Sequence, residues 1–268
     1  MKLERLGAVF VGIVLAAAPA WAWGPAAHQA VTARAIDTLP GGLKTFYKTH
    51  RLEMPTLAPE TTPGEDSADR RFALDRLLAF PFADLPRTEE ALKARFGDSA
   101  SVGRLPWLID EAYGRLVDAM KSRDKTKILT ESDTLAALVT DLANPLALSD
   151  NSDGQKTGQH GLWVRFSVRL PEVLTGRLKL SPDAAHYLDD PKEYVFSMIN
   201  GGYIWLDNLL YEEDLARRGT PGYGQIYYEA LASSRAGEIL KQRLSRAAGD
   251  VGSYWYTAWT AAGRPELK

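Results

Sequence analysis

Apolar residues recur at helical spacing along most of this sequence, and no run shows the apolar–polar alternation of a half-buried strand. Residues 25–39 have a proline near their start, an apolar stripe and a Pro-Gly-Gly stop. Residues 105–121 and 132–142 have the same amphipathic spacing. The pattern predicts an all-α fold, a single multi-helix domain over residues 23–268.

Three longer or weaker helices are also predicted. They cover residues 67–78, 193–217 and 226–262, and we expect Gly249 and Gly252 to break the last one in two. The connecting segments are rich in Pro, Gly, Asp, Asn and Ser, which is typical of loops. These loops are predicted at 54–65, around Pro81 and Pro86, and over 149–161.

The first 22 residues have the features of a cleaved secretory signal peptide. Lys2 and Arg5 precede an apolar run over 6–18, and Ala20-Trp21-Ala22 forms a small-x-small cleavage site. The chain has no cysteine, which excludes disulfides and thiolate metal sites. An exported chain without disulfides is typical of a bacterial periplasm or exterior. We therefore expect a periplasmic or secreted protein, with no later apolar run near the roughly 18 residues of a membrane span.

The charge of the chain is almost balanced. It has 32 basic and 34 acidic residues, a formal net charge of −2. Such a balance provides no general attraction to nucleic acid or to an anionic membrane. The composition therefore favours neither as a ligand.

Cleavage after Ala22 makes Trp23 the first residue of the mature protein. A free α-amine has a pKa of about 7.7–8.0, low enough for a metal ion to displace its proton near neutral pH. His28 follows five residues later, so the two residues are candidates for a metal clamp that exists only after export. Packing is the alternative explanation for both, because a buried indole removes a large apolar area from water.

Several motifs resemble one known family. Residues 141–146 read D-L-A-N-P-L, and residues 149–159 read S-D-N-S-D-G-Q-K-T-G-Q. The start W-G-P-A-A-H (23–28), the G-R-L-P-W at 103–107 and the ending W-Y-T-A-W-T-A-A-G-R-P (255–265) agree with it. In these motifs the chain resembles the zinc-dependent phospholipase C and single-strand-specific zinc nuclease superfamily, and its secreted bacterial members in particular.

The resemblance implies a three-zinc centre that hydrolyses phosphate diesters of phospholipid or nucleic acid. Its ligands would be the terminal Trp amine and carbonyl, a nearby His, an Asp–His pair, an H-x-x-x-D helix, a P-L-H and a final H-x-x-x-[DE]. Residues at i and i+4 share a helix face and can meet one metal.

Much of that ligand set is replaced in this sequence. Ala137 stands at the His position of the H-x-x-x-D helix, Ala147 at the His of P-L-H, and Pro81 at the His of the Asp–His pair. None of these three side chains can coordinate a metal. The acidic partner of Pro81 is Asp66, fifteen residues earlier, or alternatively Asp69.

The final pair has two possible alignments. One places Trp163 at the His position and Ser167 at the acidic position, and the other places His160 and Val164 there. Both alignments break the pair. His50 and His186 match no motif, and we expect them to be surface or packed histidines.

One metal site keeps all the ligands that the resemblance assigns to it. These are the Trp23 amine and carbonyl, His28 and Asp141, while Asp66 remains from a neighbouring site. A single zinc ion is compatible with this set, and so is a hydrogen bond between His28 and Asp141 with no metal. The other two sites lack the three or four ligands that zinc normally needs.

Two functions are therefore open. The losses favour an exported relative of these hydrolases that is non-catalytic, or at most binds one metal, and that persists as a binding or structural module. The alternative is an active phosphodiester hydrolase on a rearranged metal site. Its candidate ligands are further carboxylates that bind Mg²⁺, Mn²⁺ or Ca²⁺: Asp66, Asp69, Asp84, Asp150 and Asp153.

Overall fold

Helices and loops make up the whole of residues 22–54, 67–97 and 101–268, the part of the chain that the computed structural model describes. These residues form an all-α single domain without strands, as predicted. The helices are α1 (Pro25–Thr38), α2 (Gly41–Thr49), α3 (Glu89–Phe96), α4 (Leu105–Ser122), α5 (Lys125–Leu142), α6 (Leu170–Val173), α7 (Pro191–Tyr203), α8 (Leu206–Arg218), α9 (Gln225–Ser233) and α10 (Arg235–Ala261).

The predicted α1 and α4 are confirmed, and α5 begins earlier than predicted. Its first turn is capped by Asp124, whose side chain accepts a hydrogen bond from the backbone N–H of Lys127 at 3.1 Å. Of the seven residues before Ser132 only Ile128 and Leu129 are apolar, so the apolar periodicity alone does not reveal these additional turns. The loop over 149–161 is confirmed.

The α-helix predicted over 67–78 is wrong. Two short 3₁₀ turns, Ser67–Arg70 and Leu74–Arg76, stand in its place. Between them, the N–H of Phe72 donates to the carbonyl of Ala147 at 2.8 Å, and that of Ala73 to Val102 at 2.8 Å. Backbone hydrogen bonds to distant segments thus replace those of a local helix.

The two C-terminal predictions are each split at an unexpected residue. The helix predicted over 193–217 is interrupted at Ile204-Trp205, and that over 226–262 at Ser234, which caps α10. The expected break at Gly249 and Gly252 is wrong, because both lie inside α10. A Cβ on Gly252 would lie 2.0 Å from the Thr38 hydroxyl, so this glycine permits close contact between α10 and α1.

The core forms around α10, which packs against α1, α4, α5, α8 and α9. Trp255 of α10 stacks on Tyr47 with ring centroids 4.6 Å apart, and its indole N–H donates to the carbonyl of Ser132 at 3.0 Å. A 3₁₀ turn (Pro145–Leu148) follows α5, and a π-helical segment (Val164–Arg169) leads into α6. These two connections bring the end of α5 and residues 22–24 together.

Two earlier predictions fall outside the described residues. They are the signal peptide, apart from Ala22, and the loop over 54–65, apart from Met54. Within the part of the chain that is described, no helix is both long and apolar enough to span a bilayer.

Candidate functional site

The carboxylate of Asp141, in the last turn of α5, is completely buried between the side chains of His28 and Arg70. Its Oδ1 lies 3.1 Å from Nε2 of His28 on α1. Its Oδ2 accepts a hydrogen bond from Nε of Arg70 at 2.7 Å and lies 2.5 Å from the Nη2 of the same guanidinium. His28 and Arg70 are only 4% and 3% exposed. We call these three residues the Asp141 centre.

Arg70 and His28 stabilise the negative charge of the Asp141 carboxylate. Burial by itself raises the pKa of the Asp141 carboxyl, but Arg70 and His28 more than offset it, so this pKa lies below its ordinary value. Asp141 is therefore an anion at neutral pH. A buried carboxylate and a buried guanidinium each depend on the other, because removal of either leaves an uncompensated charge.

Residues 22–24, at the predicted cleavage point, are held next to this centre. The side-chain amide of Asn144 donates to the carbonyl of Ala22 and, at 2.8 Å, to the hydroxyl of Ser167. The backbone N–H of Gly24 donates to the carbonyl of Ser167 at 2.9 Å. The peptide bond between Ala22 and Trp23 thus lies against a residue three positions beyond Asp141.

The Trp23 side chain is part of the core. Its indole is fully buried, with its ring centroid 5.4 Å from that of Phe166. The indole Nε1 has no hydrogen-bond partner among the described residues. Packing therefore accounts for a large aromatic residue at this position without any metal.

The Asp141 centre does not fit a tight zinc site. Zinc binds nitrogen and oxygen ligands at about 2.0–2.2 Å and normally needs at least three protein ligands. Of the described His, Asp and Glu side chains, no three are grouped so that they could hold a metal ion. In addition, the guanidinium of Arg70 contacts the carboxylate that would bind the ion, and a divalent cation would be repelled by this buried charge.

The residues at the replaced histidine positions lie in two environments. Ala137 and Ala147 are buried in the core, whereas Pro81 is exposed. Of the two alignments of the final pair, one brings a residue to the Asp141 region, because Ser167 is buried beside Asn144. His160 and Val164, which the other alignment uses, are both exposed.

The two candidates for the acidic family position differ in what can be described. Asp66 lies outside the described residues. Asp69 is half-buried and lines a cleft of about 480 Å³ together with Arg71 and Arg104. Its backbone carbonyl accepts a hydrogen bond from the N–H of Arg104 at 2.9 Å.

The remaining carboxylates of the alternative hypothesis have other roles. Asp150 forms an ion pair with Lys156 at 2.7 Å. Asp153 accepts hydrogen bonds from two backbone N–H groups of the following loop at 2.9 and 3.0 Å. Asp84 is exposed at a turn. These three side chains stabilise loops or face solvent, and they do not join Asp141.

The two histidines without a motif are both side-chain hydrogen-bonded, as expected of surface or packed residues. His50 Nδ1 lies 2.7 Å from Oε1 of Glu53 near the surface. His186 Nδ1 lies 3.2 Å from the hydroxyl of Ser253 on α10.

Part of the motif pattern has a structural explanation. Gly103 has φ +99°, and a Cβ there would lie 2.0 Å from the carbonyl oxygen of Arg71, so only glycine fits.

Gln159, the last residue of the long loop motif, donates to the buried carboxylate of Glu213 at 2.6 Å. Arg165 and Tyr227 bond the other oxygen of Glu213 at 2.7 and 2.9 Å. This second buried network joins the loop to α8 and α9.

Sequence reasoning brought His28 and Asp141 together but missed Arg70. The only signal was its place directly after the acidic candidate Asp69. Arg70 is 71 positions from Asp141 in the sequence and belongs to no motif. The predicted helix over 67–78 did not indicate that its side chain would contact Asp141.

A scan of the sequence against protein-family models gave no match, and a search among curated proteins gave none either.

Proposed function

We propose that this protein is an exported, non-catalytic relative of the zinc-dependent phospholipase C and single-strand-specific nuclease superfamily, retained as a binding or structural module. The observation that carries the proposal is the buried ion pair between Arg70 and Asp141. The guanidinium provides the positive charge that the resemblance assigns to a zinc ion at this carboxylate. The fold thereby keeps its charge balance without a metal.

The loss of catalysis follows from what the family chemistry requires. Hydrolysis of a phosphate diester by such a centre depends on a metal that generates hydroxide and stabilises the leaving oxygen. An arginine stabilises negative charge, but it does not lower the pKa of a bound water in this way. Ala137, Ala147 and Pro81, at the other ligand positions, offer no coordinating atom.

The export route is part of the proposal. The signal-like segment over 1–22 and the absence of cysteine support a location in a bacterial periplasm or exterior. By the same resemblance, phospholipid and single-stranded nucleic acid are the first ligands to test.

Zinc content of the mature protein, residues 23–268, tests this proposal. We expect no stoichiometric zinc after reconstitution and dialysis, and no hydrolysis of bis-p-nitrophenyl phosphate, phosphatidylcholine or single-stranded DNA. In Arg70→Ala the competing charge is removed, so we expect weak zinc binding that is lost again in Arg70→Ala/His28→Ala.

A neighbouring arginine provides the matched control. Arg71 donates to the hydroxyl of Ser152 at 3.2 Å and has no part in the Asp141 centre, so Arg71→Ala should bind no more zinc than the wild type. Stoichiometric zinc in the wild type together with zinc-dependent hydrolysis would contradict the proposal and favour the active hydrolase.

A further inference from the structure

A second cleft, of about 750 Å³, lies between the end of α7, the turn that follows it, the segment 179–183 and α10. Its apolar wall is formed by Met198, Ile204 and Trp205, at the break between α7 and α8. None of the residues of the Asp141 centre lines it. The cleft is therefore a separate site.

Arg243 of α10 lines this cleft although it is only 6% exposed. Its Nε donates to the carbonyl of Ala143 at 3.0 Å, and its Nη1 to the carbonyl of Gly201 at 3.1 Å. These two bonds use two of the five donor hydrogens of a guanidinium. Among the described residues, no carboxylate lies within ion-pair distance of Arg243.

The other charges around the cleft are close to balance. Arg246 forms an ion pair with Asp250 at 3.1 Å, and the Asp250 carboxylate also accepts a hydrogen bond from the Tyr194 hydroxyl at 2.7 Å. On the rim, two lysines face two acids: Lys179, Lys241, Asp183 and Glu238. Among the described residues of the cleft, Arg243 forms no ion pair, although the Asp250 carboxylate stabilises its charge from a greater distance.

We propose that this cleft binds a small organic oxyanion, with a carboxylate or phosphate group on Arg243 and an apolar part against Met198, Ile204 and Trp205. A guanidinium is suited to this role because its planar array of donors matches the geometry of both groups. The nearly balanced rim favours a ligand of low charge over a polyanion. The cavity volume is in the range of small-molecule sites.

The protonation state of Arg243 agrees with this assignment. Burial lowers the pKa of its guanidinium to about 10, so the side chain is still a cation at neutral pH. The Asp250 carboxylate opposes this shift but forms no ion pair with Arg243, and an incoming anion would offset part of the remaining cost of burying the charge. The site does not depend on whether the Asp141 centre holds a metal.

Calorimetric titration of the mature protein with acetate, benzoate and inorganic phosphate, at constant ionic strength with chloride as the competing anion, tests the proposal. We expect saturable one-to-one binding of at least one probe. Benzoate should bind more tightly than acetate if the carboxylate is preferred, because only benzoate reaches the apolar wall. A preference for phosphate would identify the phosphate group as the recognised one.

Two variants locate the binding. Arg243→Gln should raise the dissociation constant at least tenfold, because it removes a charge-assisted contact. Lys241→Gln, on the half-buried rim, should raise the dissociation constant about threefold without disturbing the contacts of Arg243 with backbone carbonyls. Arg71→Gln, in the other cleft, is the matched control and should bind as the wild type does.

The Lys241 variant keeps the test decisive if Arg243→Gln fails to fold. The proposal is overturned if no probe binds the wild type saturably, or if folded Arg243→Gln or Lys241→Gln binds as tightly as Arg71→Gln.

Discussion

Asp133 and Asp141 lie two turns apart on the same helix, about 12 Å along its axis, and the pKa values of their carboxyl groups are shifted in opposite directions. Both are buried. Asp141 contacts Arg70 and His28, and the pKa of its carboxyl is lowered. Asp133 has no ion pair or hydrogen bond from its side chain to any described residue, and burial raises its pKa to about 7.

This difference shows that burial alone does not determine what a carboxylate does here. At the Asp141 end of α5, the contacts with Arg70 and His28 outweigh the loss of hydration. At the Asp133 end no described residue offsets it, so the folded state favours the neutral acid below about pH 7. Ala137 lies one turn from each and separates the two environments with a methyl group. The comparison predicts mutations of opposite sign on one helix.

The largest effect is expected at the Asp141 end. Asp141→Asn should lower the free energy of unfolding by about 3–5 kcal/mol, because it leaves the buried Arg70 without its counter-charge. Urea unfolding at pH 7 measures the change. Because the folded pKa of Asp141 lies below the unfolded value of about 3.9, its contribution is present above that pH and is lost as the pH falls through the folded pKa.

Arg70→Met/Asp141→Leu checks the assignment to a charge pair. Removal of both charges should recover much of the stability that the single variant loses. Equal losses in the single and double variants would show that packing, not charge, dominates at this site.

The next effect is expected at the Asp133 end, with the opposite sign. Between about pH 4 and 7 the folded state retains the Asp133 proton while the unfolded chain releases it, so stability falls as the pH rises through this window. Asp133→Asn cannot ionise and should be more stable than the wild type by about 2–4 kcal/mol at pH 8. It should differ little from the wild type at pH 4.

Urea unfolding of the Asp133 variant across pH 4–8 measures this trend. A wild type and variant with parallel pH profiles would mean that Asp133 ionises normally in the folded protein, and the contrast between the two ends of α5 would disappear.

The smallest effect is expected at His28. His28→Gln keeps the Arg70–Asp141 ion pair and replaces the imidazole by an amide that also donates a hydrogen bond, so we expect a loss of about 1–2 kcal/mol. His186→Gln is the matched control, because His186 contacts a serine hydroxyl and forms no ion pair with a carboxylate of the described residues. A loss as large as that of Asp141→Asn would make His28, and not Arg70, the principal partner of Asp141.

The sequence predicted those parts of the fold that local physics determines. Apolar periodicity located α1 and α4 to within about one residue, helped at α1 by the Pro-Gly-Gly stop. The helix prediction over 67–78 was wrong because the backbone of this segment forms hydrogen bonds with Ala147 and Val102. No local sequence pattern reveals these bonds. The break at Ser234 is a capping effect, while the nearby glycines serve close helix packing.

The candidate site divides in the same way. Two motif residues, His28 and Asp141, were identified from the resemblance and do lie together. Arg70 could not be identified, because an ion pair across 71 positions depends on how an irregular segment folds back onto α5. Arg243 also escaped prediction, since a buried arginine held by backbone carbonyls has no sequence signature.

The buried junction between Ala22 and Trp23 has a consequence for the order of events in biogenesis. A protease needs an accessible, extended stretch of chain, whereas both residues at the proposed cleavage point are fully buried, with Asn144 bonded to the carbonyl of Ala22. If export removes residues 1–22, cleavage has to precede the closure of the core around Trp23. The N-terminal region would then fold only after it has crossed the membrane.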